Sequence, residues 1–283
     1  MNFSYVIYAV LTMGGVALIL GVILGIASIK FHVEIDPRVQ HVIDVLPGSN
    51  CGACGLPGCE GAAEAIVAGE SPPNSCVAGG HEVAKKVAAI LGLEAGEADE
   101  PKVAMVACGG GRGQVETRFN YEGIHHCTAA NQLIGGPLAC SHGCLGFGDC
   151  ADACPFDALH MGEDHLPKVD RDKCTSCGIC VTTCPREIMR LIPESAEYAN
   201  ACSSLDKGKD VRKVCKVGCI ACKICEKECP VEPSAIAVKD NLAHFDYDAC
   251  TDCGACSEKC PTKCIQKTKE AKKAAVPSAK ASA

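Results

Sequence analysis

The sequence predicts an α+β protein with an N-terminal transmembrane helix, a small helical 4Fe-4S module, and two bacterial-ferredoxin-like modules with two clusters each. Three observations support this prediction. No charged residue occurs from Tyr5 to Ile29. Cysteine accounts for 25 of the 283 residues. Three segments repeat the spacing C-x₂-C-x₂-C-x₃-C-P, which is the ligand pattern of bacterial ferredoxins.

The composition indicates that bound metal contributes to the stability of the fold. Tryptophan is absent and aromatic residues make up 4% of the chain, so a conventional large core is poor. Bound metal can supply the missing folding free energy. The net charge of −7 argues against nucleic acid as a main partner.

Residues 1–30 are predicted to form a membrane anchor. The 25 uncharged residues from Tyr5 to Ile29 would rise about 37 Å as a helix, which exceeds a hydrocarbon core of about 30 Å. A signal peptide is the alternative, but it requires a basic N-terminal region and a shorter apolar stretch. Lys30 and Arg38 follow the span and no basic residue precedes it. The positive-inside rule therefore predicts a single-pass protein of the cell (inner) membrane, with its C-terminal part in the cytoplasm.

Residues 31–92 are predicted to form a small helical module around one cluster. A short helix begins after Asp36, a suitable N-cap, with Pro37 in its first turn. A C-x₂-C-x₄-C loop follows, and its fourth ligand comes from beyond the next helix. A four-cysteine zinc site is the alternative, although zinc sites favour two separated pairs of ligands. The candidate ligands are Cys51, Cys54, Cys59 and Cys76.

The three regular runs identify the C-terminal half as an iron–sulfur protein. A secreted disulfide framework has no reason to repeat this spacing, so the sequence predicts a reduced, cytoplasmic environment. The proline after each last cysteine fixes φ and turns the chain away from the cluster. The runs are Cys174, Cys177, Cys180, Cys184; Cys219, Cys222, Cys225, Cys229; and Cys250, Cys253, Cys256, Cys260.

The runs combine into two modules, because the fourth cysteine of each run ligates the cluster of the other run. The modules are predicted at 140–193 and 215–265, and each has room for a β-hairpin between its two runs. In the second module one cluster takes Cys219, Cys222, Cys225 and Cys260, and the other takes Cys250, Cys253, Cys256 and Cys229. In the first module one cluster takes Cys174, Cys177, Cys180 and Cys154.

The opening run of the first module is irregular. Its sequence, CSHGCLGFGDCADACP at 140–155, aligns without gaps to CKVGCIACKICEKECP at 215–230, and Phe147 stands in the place of Cys222. Cys140 is the nearest substitute for the lost ligand. The predicted ligands of this cluster are therefore Cys140, Cys144, Cys150 and Cys184.

Five cysteines remain outside these five sites. The segment around Cys108 weakly resembles the segment around Cys202, which suggests that the repeat extends upstream. A sixth cluster is arithmetically possible, and the alternative is that these residues are small buried hydrophobes. The candidate ligands are Cys108, Cys127, Cys202 and Cys215, whereas Cys264 is not expected to be a ligand.

The remaining segments are interpreted from their composition and position. Residues 93–139 are a linker and lead-in to the first module, and residues 194–214 are a connector. The acidic, glycine-containing stretch 92–100 suggests a hinge. Residues 266–283 are rich in alanine, lysine and serine, which predicts a disordered tail.

The order of these features resembles the RnfB family, which provides one subunit of the Rnf complex, in the multi-cluster form of anaerobic bacteria. The resemblance rests on the uncharged N-terminal helix, the motifs DPRV and LPGSNCGACGLPGCEG, and the two ferredoxin-type modules. It implies a membrane-anchored subunit of an ion-translocating ferredoxin:NAD⁺ oxidoreductase. Such a protein accepts electrons from reduced ferredoxin and passes them to partner membrane subunits. Nicotinamide and flavin chemistry would belong to those partners, and no catalytic residue is predicted in this chain.

Two other functions compete with this interpretation. One is an electron-transfer subunit of another anaerobic membrane complex, of the hydrogenase or heterodisulfide reductase type. The LPGSNCGACG module and the anchor argue against it. The other is a zinc-binding interaction protein without a redox role, which three full ferredoxin runs disfavour.

Overall fold

The computed structural model describes residues 3–30, 36–93 and 100–268. The predicted hinge at 92–100 and the predicted tail at 266–283 fall largely outside these residues. Helix α1, Phe3–Lys30, is the first element. Its stretch Val10–Lys30 is apolar, contains no buried residue and is long enough to cross a membrane. These properties suit a lipid-facing anchor.

The N-terminal module consists of three short helices around a small apolar core. They are α2, Pro37–Val45; α3, Gly58–Val67; and α4, Gly80–Leu91, which a 3₁₀ turn at Val77–Gly79 precedes. The Asp36 carboxylate accepts a hydrogen bond from the Arg38 backbone N–H, which confirms the predicted N-cap. Val42, Ala63 and Val87, one from each helix, are fully buried against one another. This packing fixes the loop 46–58 that precedes α3.

The C-terminal part contains two modules that repeat one pattern of strands and short helices. The first consists of β1, Lys102–Val106; α6, Asp149–Asp152; β2, Leu159–Met161; β3, Pro167–Val169; α7, Ile179–Thr183; and β4, Met189–Pro193. The second consists of β5, Tyr198–Asn200; α9, Ile224–Lys227; β6, Ile236–Lys239; β7, Leu242–Phe245; α10, Ala255–Glu258; and β8, Ile265–Lys267. Two further helices precede the opening runs: α5, Cys127–Gln132, and α8, Gly208–Val214.

Each module contains two antiparallel strand pairs. Strands β2 and β3 form the predicted hairpin of the first module, and β6 and β7 form that of the second. The second hairpin closes through Asp240 and Asn241, both at positive φ, as a two-residue type I′ turn requires. The other pairs join β1 to β4 and β5 to β8. The strand before each opening run therefore belongs to the module, although it lies in segments that the sequence suggested were a linker and a connector.

Cysteines pack with apolar residues in the interior of each module. In the second module Cys219, Cys225, Cys256 and Cys260 pack in one buried cluster with Ile236, Leu242 and Ile265. In the first module Cys150 and Cys180 pack with Leu159 and Met189. The hairpins thus cover two groups of thiols rather than a conventional apolar core.

Candidate iron–sulfur sites

The second module brings together the two four-cysteine groups that the sequence predicted. One group lies around a cavity of about 330 Å³, which Cys264 also lines. Its predicted ligands are Cys219, Cys222, Cys225 and Cys260. The other cavity, of about 320 Å³, is lined by Cys229, Cys250, Cys253 and Cys256. The exchange of the fourth cysteine between runs is thus present in the backbone trace.

The loops around these groups share an unusual backbone conformation. In all four runs of the two modules, the second and fourth residues after the first cysteine have positive φ. Alternation of right- and left-handed residues points successive N–H groups into one concavity, which favours an anion. A 4Fe-4S cluster with four thiolate ligands is such an anion. The first position is occupied by Gly146, Ser176, Ala221 and Asp252, and the second by Gly148, Gly178, Lys223 and Gly254.

The regular site of the first module lies between β1, α7 and the hairpin. Its predicted ligands are Cys154, Cys174, Cys177 and Cys180. The Cys174 sulfur accepts a hydrogen bond from the Ala104 N–H at 3.4 Å, and the Cys154 sulfur accepts one from the Ala158 N–H at the same distance. Burial, followed by the neighbouring thiols, raises the pKa of Cys180 to about 12. Metal binding at neutral pH therefore has to displace protons from these thiols.

The cavity at the irregular site of the first module is lined by three of the four predicted cysteines and by one other cysteine. A cavity of about 390 Å³ is lined by Cys127, Cys144, Cys150 and Cys184. Cys140 is not among the residues that line it. The Cys140 carbonyl instead accepts a hydrogen bond from Arg186 Nη1 at 2.8 Å, and the preceding Ala139 N–H bonds to the Glu116 carbonyl. These bonds hold Cys140 away from the cavity.

Cys127 reaches this cavity from an insertion. Between Cys108 and Cys140 the first module has 31 residues, whereas the second has 12 between Cys202 and Cys215. The Asp149 carboxylate fixes the start of α5 within the insertion, because it accepts hydrogen bonds from the Cys127 N–H at 2.8 Å and the Thr128 N–H at 3.1 Å. The position of Cys127 is thus set by a contact with α6.

Phe147 also holds the insertion. Its ring lies 5.5 Å from the Tyr121 ring and 5.7 Å from the His125 ring, centroid to centroid, and both partners belong to the insertion. Phe147 stands where the other runs have a cysteine, and it also packs the segment that carries Cys127. The sequence analysis placed Cys127 in a possible sixth cluster because Cys140 is the cysteine nearest to the irregular run. The combination of a lost ligand and a longer segment was the available clue.

The N-terminal module brings its four predicted cysteines to one cavity of about 320 Å³. The lining thiols are Cys51, Cys54, Cys59 and Cys76. The Asn50 side-chain oxygen accepts a hydrogen bond from the Cys59 N–H at 2.7 Å, which closes the loop around the cavity. Burial, and then neighbouring thiols that include Cys51, raise the pKa of Cys177. The N-terminal site therefore lies within electrostatic reach of the regular site of the first module.

The spacing of these groups does not suit a mononuclear ion. Among the residues that the structure describes, no three cysteine, histidine or carboxylate side chains approach closely enough to share one metal ion. A tetrahedral zinc site would require this, since Zn–S bonds are about 2.3 Å long. The donor set is instead four separated thiols around a cavity, which fits a cubane cluster.

Comparisons with known proteins agree with this division. A family model described as "Putative Fe-S cluster" matches residues 46–78. Two models described as "4Fe-4S dicluster domain" match residues 139–188 and 210–261. These matches confirm an N-terminal iron–sulfur module and two ferredoxin-type modules, and with them the α+β fold class.

Several curated relatives, all of the RnfB type, match most of the chain. The relative from the ion-translocating oxidoreductase complex of Methanosarcina acetivorans is 45% identical over 93% of this chain and 98% of that protein. The relative from the Na(+)-translocating ferredoxin:NAD(+) oxidoreductase complex of Acetobacterium woodii is 46% identical over 89% of this chain and 75% of that protein. The relative from the proton-translocating ferredoxin:NAD(+) oxidoreductase complex of Clostridium ljungdahlii is 46% identical over 94% of this chain and 93% of that protein. The chain therefore belongs to the RnfB family of ion-translocating oxidoreductase (Rnf) complexes, and it is a membrane-associated iron–sulfur electron-transfer subunit.

Proposed function

We propose that this chain accepts electrons from reduced ferredoxin and passes them, through at least five 4Fe-4S clusters, to the membrane subunits of a ferredoxin:NAD⁺ oxidoreductase that translocates ions. The observation that supports it is the grouping of twenty cysteines into five sites, each formed by four thiols, along one chain that begins with an apolar helix. When bound, the clusters supply the one-electron chemistry. The protein binds and positions them, and the N–H groups of the run loops stabilise their charge.

The second module has the features expected of the electron-accepting end. Cys222 and Cys253 are exposed, one at each of its sites, whereas the other predicted ligands are buried or half-buried. A soluble donor must approach a cluster closely, so an exposed ligand marks where it can dock. The N-terminal module lies next to the anchor in the chain, and its Cys51 contributes, after burial, to the raised pKa of Cys177 in the first module. Electrons would thus travel from the second module, through the first, toward the membrane.

The test compares charge reversals beside two ligands in the membrane complex. Lys223 and Lys173 are both exposed and adjacent to a predicted ligand, the first in the second module and the second in the first module. With an acidic ferredoxin as donor, K223E should slow cluster reduction about tenfold at low salt. K173E should have no effect, and iron content should be unchanged in both. Equal rates for both variants would contradict reception at the second module, and absence of reduction in the unmodified complex would refute ferredoxin as the donor.

The orientation is a separate part of the proposal. Lys30 and Arg38 follow the span, so we infer a single pass with the cluster-bearing part in the cytoplasm. Protease added to inverted membrane vesicles should digest the part after residue 36, and protease added to right-side-out vesicles should leave it intact. The opposite pattern would overturn this orientation.

A further inference from the structure

We propose that Cys108, Cys140, Cys202 and Cys215 hold a sixth 4Fe-4S cluster at the junction of the two modules, and that Cys127 completes the irregular site of the first module. This inference deepens the proposed electron relay and rests on it. The sequence predicted Cys140 at the irregular site and Cys127 among the candidates for the sixth cluster, and this proposal exchanges the two.

The four cysteines form two equivalent pairs of the internal repeat. Cys140 and Cys215 occupy the same position in the two opening runs, four residues before the first ferredoxin-type ligand. Cys108 and Cys202 each follow the strand that precedes a run, two residues after the end of β1 and of β5. Each module therefore contributes one cysteine of each kind, as expected for a site on a pseudo-twofold axis.

The backbone brings the two modules together at this place. The Glu116 N–H donates to the Val214 carbonyl at 2.9 Å, and the Glu116 carbonyl accepts from the Ala139 N–H at 2.8 Å. The residues that follow these two partners are Cys215 and Cys140. One strand-like segment, 114–117, thus joins the two cysteine-bearing segments.

The other pair is joined in the same way. The Gly109 N–H donates to the Ala201 carbonyl at 2.8 Å, so Cys108 and Cys202 flank a hydrogen bond between modules. A Cβ atom at Gly110 would lie 2.6 Å from Val115 Cγ2, 3.4 Å from the Cys215 sulfur and 3.7 Å from the Cys108 sulfur. The two sulfurs therefore border the same point beside Gly110.

Three of the four thiols are buried, and the fourth, that of Cys215, is half-buried. Cys108 and Cys140 are 8% exposed and Cys202 is 7% exposed. The backbone hydrogen bonds between the modules and the contacts beside Gly110 bring these thiols to the same junction.

Two of the sulfurs are also placed like cluster ligands. The Cys108 sulfur accepts a hydrogen bond from the Cys144 N–H at 3.4 Å, and the Cys202 sulfur accepts one from the Cys219 N–H at 3.2 Å. The predicted ligands Cys154 and Cys174 accept the same kind of bond. Such bonds stabilise thiolates and tune cluster potentials.

The two donors show what the sixth cluster would connect. Cys144 belongs to the irregular site of the first module, and Cys219 belongs to a site of the second. A cluster between them would accept one electron from the second module and donate one to the first, with no bond made or broken. Without it, the two modules have no redox centre at their junction.

Iron and sulfide counts on full-length, anaerobically purified protein test the proposal. We expect about 24 iron and 24 sulfide ions per chain, and C202A should lose one cluster. S204A, which removes another buried polar side chain two residues along the same segment, is the matched control and should lose none. About 20 iron ions in the wild-type protein, with C202A unchanged, would overturn the sixth cluster but leave the relay intact. Zinc with little sulfide would overturn both.

Double variants test the exchange of ligands. If Cys108 and Cys140 share a cluster, C108A/C140A should lose no more iron than C108A alone. If Cys127 serves a different cluster, C108A/C127A should lose twice as much. The reverse pattern would restore the assignment expected from the sequence and refute ours. Low-temperature EPR of the remaining clusters separates site loss from general unfolding.

Discussion

Cys264 should raise the reduction potential of one cluster of the second module. Its thiol is 3% exposed, and its sulfur lies 3.5 Å from the sulfur of Cys260. Hydrogen bonds with Cys219 and Cys260, and then burial, raise the pKa of Cys264. In turn, the hydrogen bond from the Cys264 thiol is the main cause of the lowered pKa of Cys260. Cys264 therefore stays protonated and donates to ligand sulfurs. A donor to a thiolate favours the more negative, reduced cluster.

The size of the effect follows from the strength of such bonds. A hydrogen bond to a charged group contributes about 1.5–3 kcal/mol. We take about one third of this as the difference between oxidation states, because the added electron is shared over the cluster and its four ligands. The resulting 0.5–1 kcal/mol corresponds to about 20–40 mV for one electron, at about 59 mV for a tenfold change. C264A should lower the midpoint potential by this amount.

A redox titration of the full-length protein followed by EPR measures the shift. Only one of the resolved components should move in C264A, and C264S, which keeps a hydroxyl donor, should retain most of the wild-type potential. Ile188 occupies the corresponding place in the first module, four residues after Cys184, so I188C should raise the potential of a cluster there. Unchanged midpoints in C264A with full iron content would refute the hydrogen-bond argument.

Three further predictions concern the placement of ligands. C127A should lose the irregular cluster. Adding F147C to the same chain should restore it, because that change regenerates the regular run. Iron analysis that shows no recovery would contradict the idea that Cys127 replaces the ligand lost at position 147. G58A should speed the loss of the N-terminal cluster to a chelator, because φ of +78° costs an L-residue about 1–2 kcal/mol and the added Cβ would lie 2.9 Å from the Asn50 side-chain oxygen. D149A should destabilise the irregular site by about 1–3 kcal/mol, and D152A on the same helix is the control. Burial acts to raise the pKa of Asp149, but hydrogen bonds from Cys127 and Thr128 outweigh it and lower the pKa. Its contribution should thus be complete above the ordinary value of 3.8 and disappear as the pH falls through the lowered value, and acid-induced iron release that is equal in wild type and D149A would contradict this role.

Local features were predictable because they depend on a few neighbouring residues. The N-cap at Asp36 and the hairpin between Cys229 and Cys250 follow from turn and cap chemistry, and the structure contains both. The grouping of Cys229 with the next run follows from the known exchange of fourth ligands. All of these inferences involve short or fixed sequence separations.

The position of Cys127 was not predictable in this way. It depends on where a 31-residue segment folds back, and this is decided by Asp149 and by the ring of Phe147. These are tertiary contacts between residues about 20 positions apart, and no spacing rule encodes them. The pairing partners of the strands before each opening run were not predictable for a related reason. Residues 102–106 pair with 189–193, so their role appears only after the module has closed.

The irregular run and the junction have one common explanation. A regular run supplies three ligands to its own cluster. The cysteine four residues upstream, which is Cys215 in the second module, is therefore not needed for that cluster. In the first module Phe147 removes one ligand, and Cys140 could have replaced it only by leaving the junction. The insertion that brings Cys127 to the cavity allows Cys140 to remain opposite Cys215. Loss of Cys127 alone should therefore break the relay within the first module, whereas loss of Cys140 should break it between the modules.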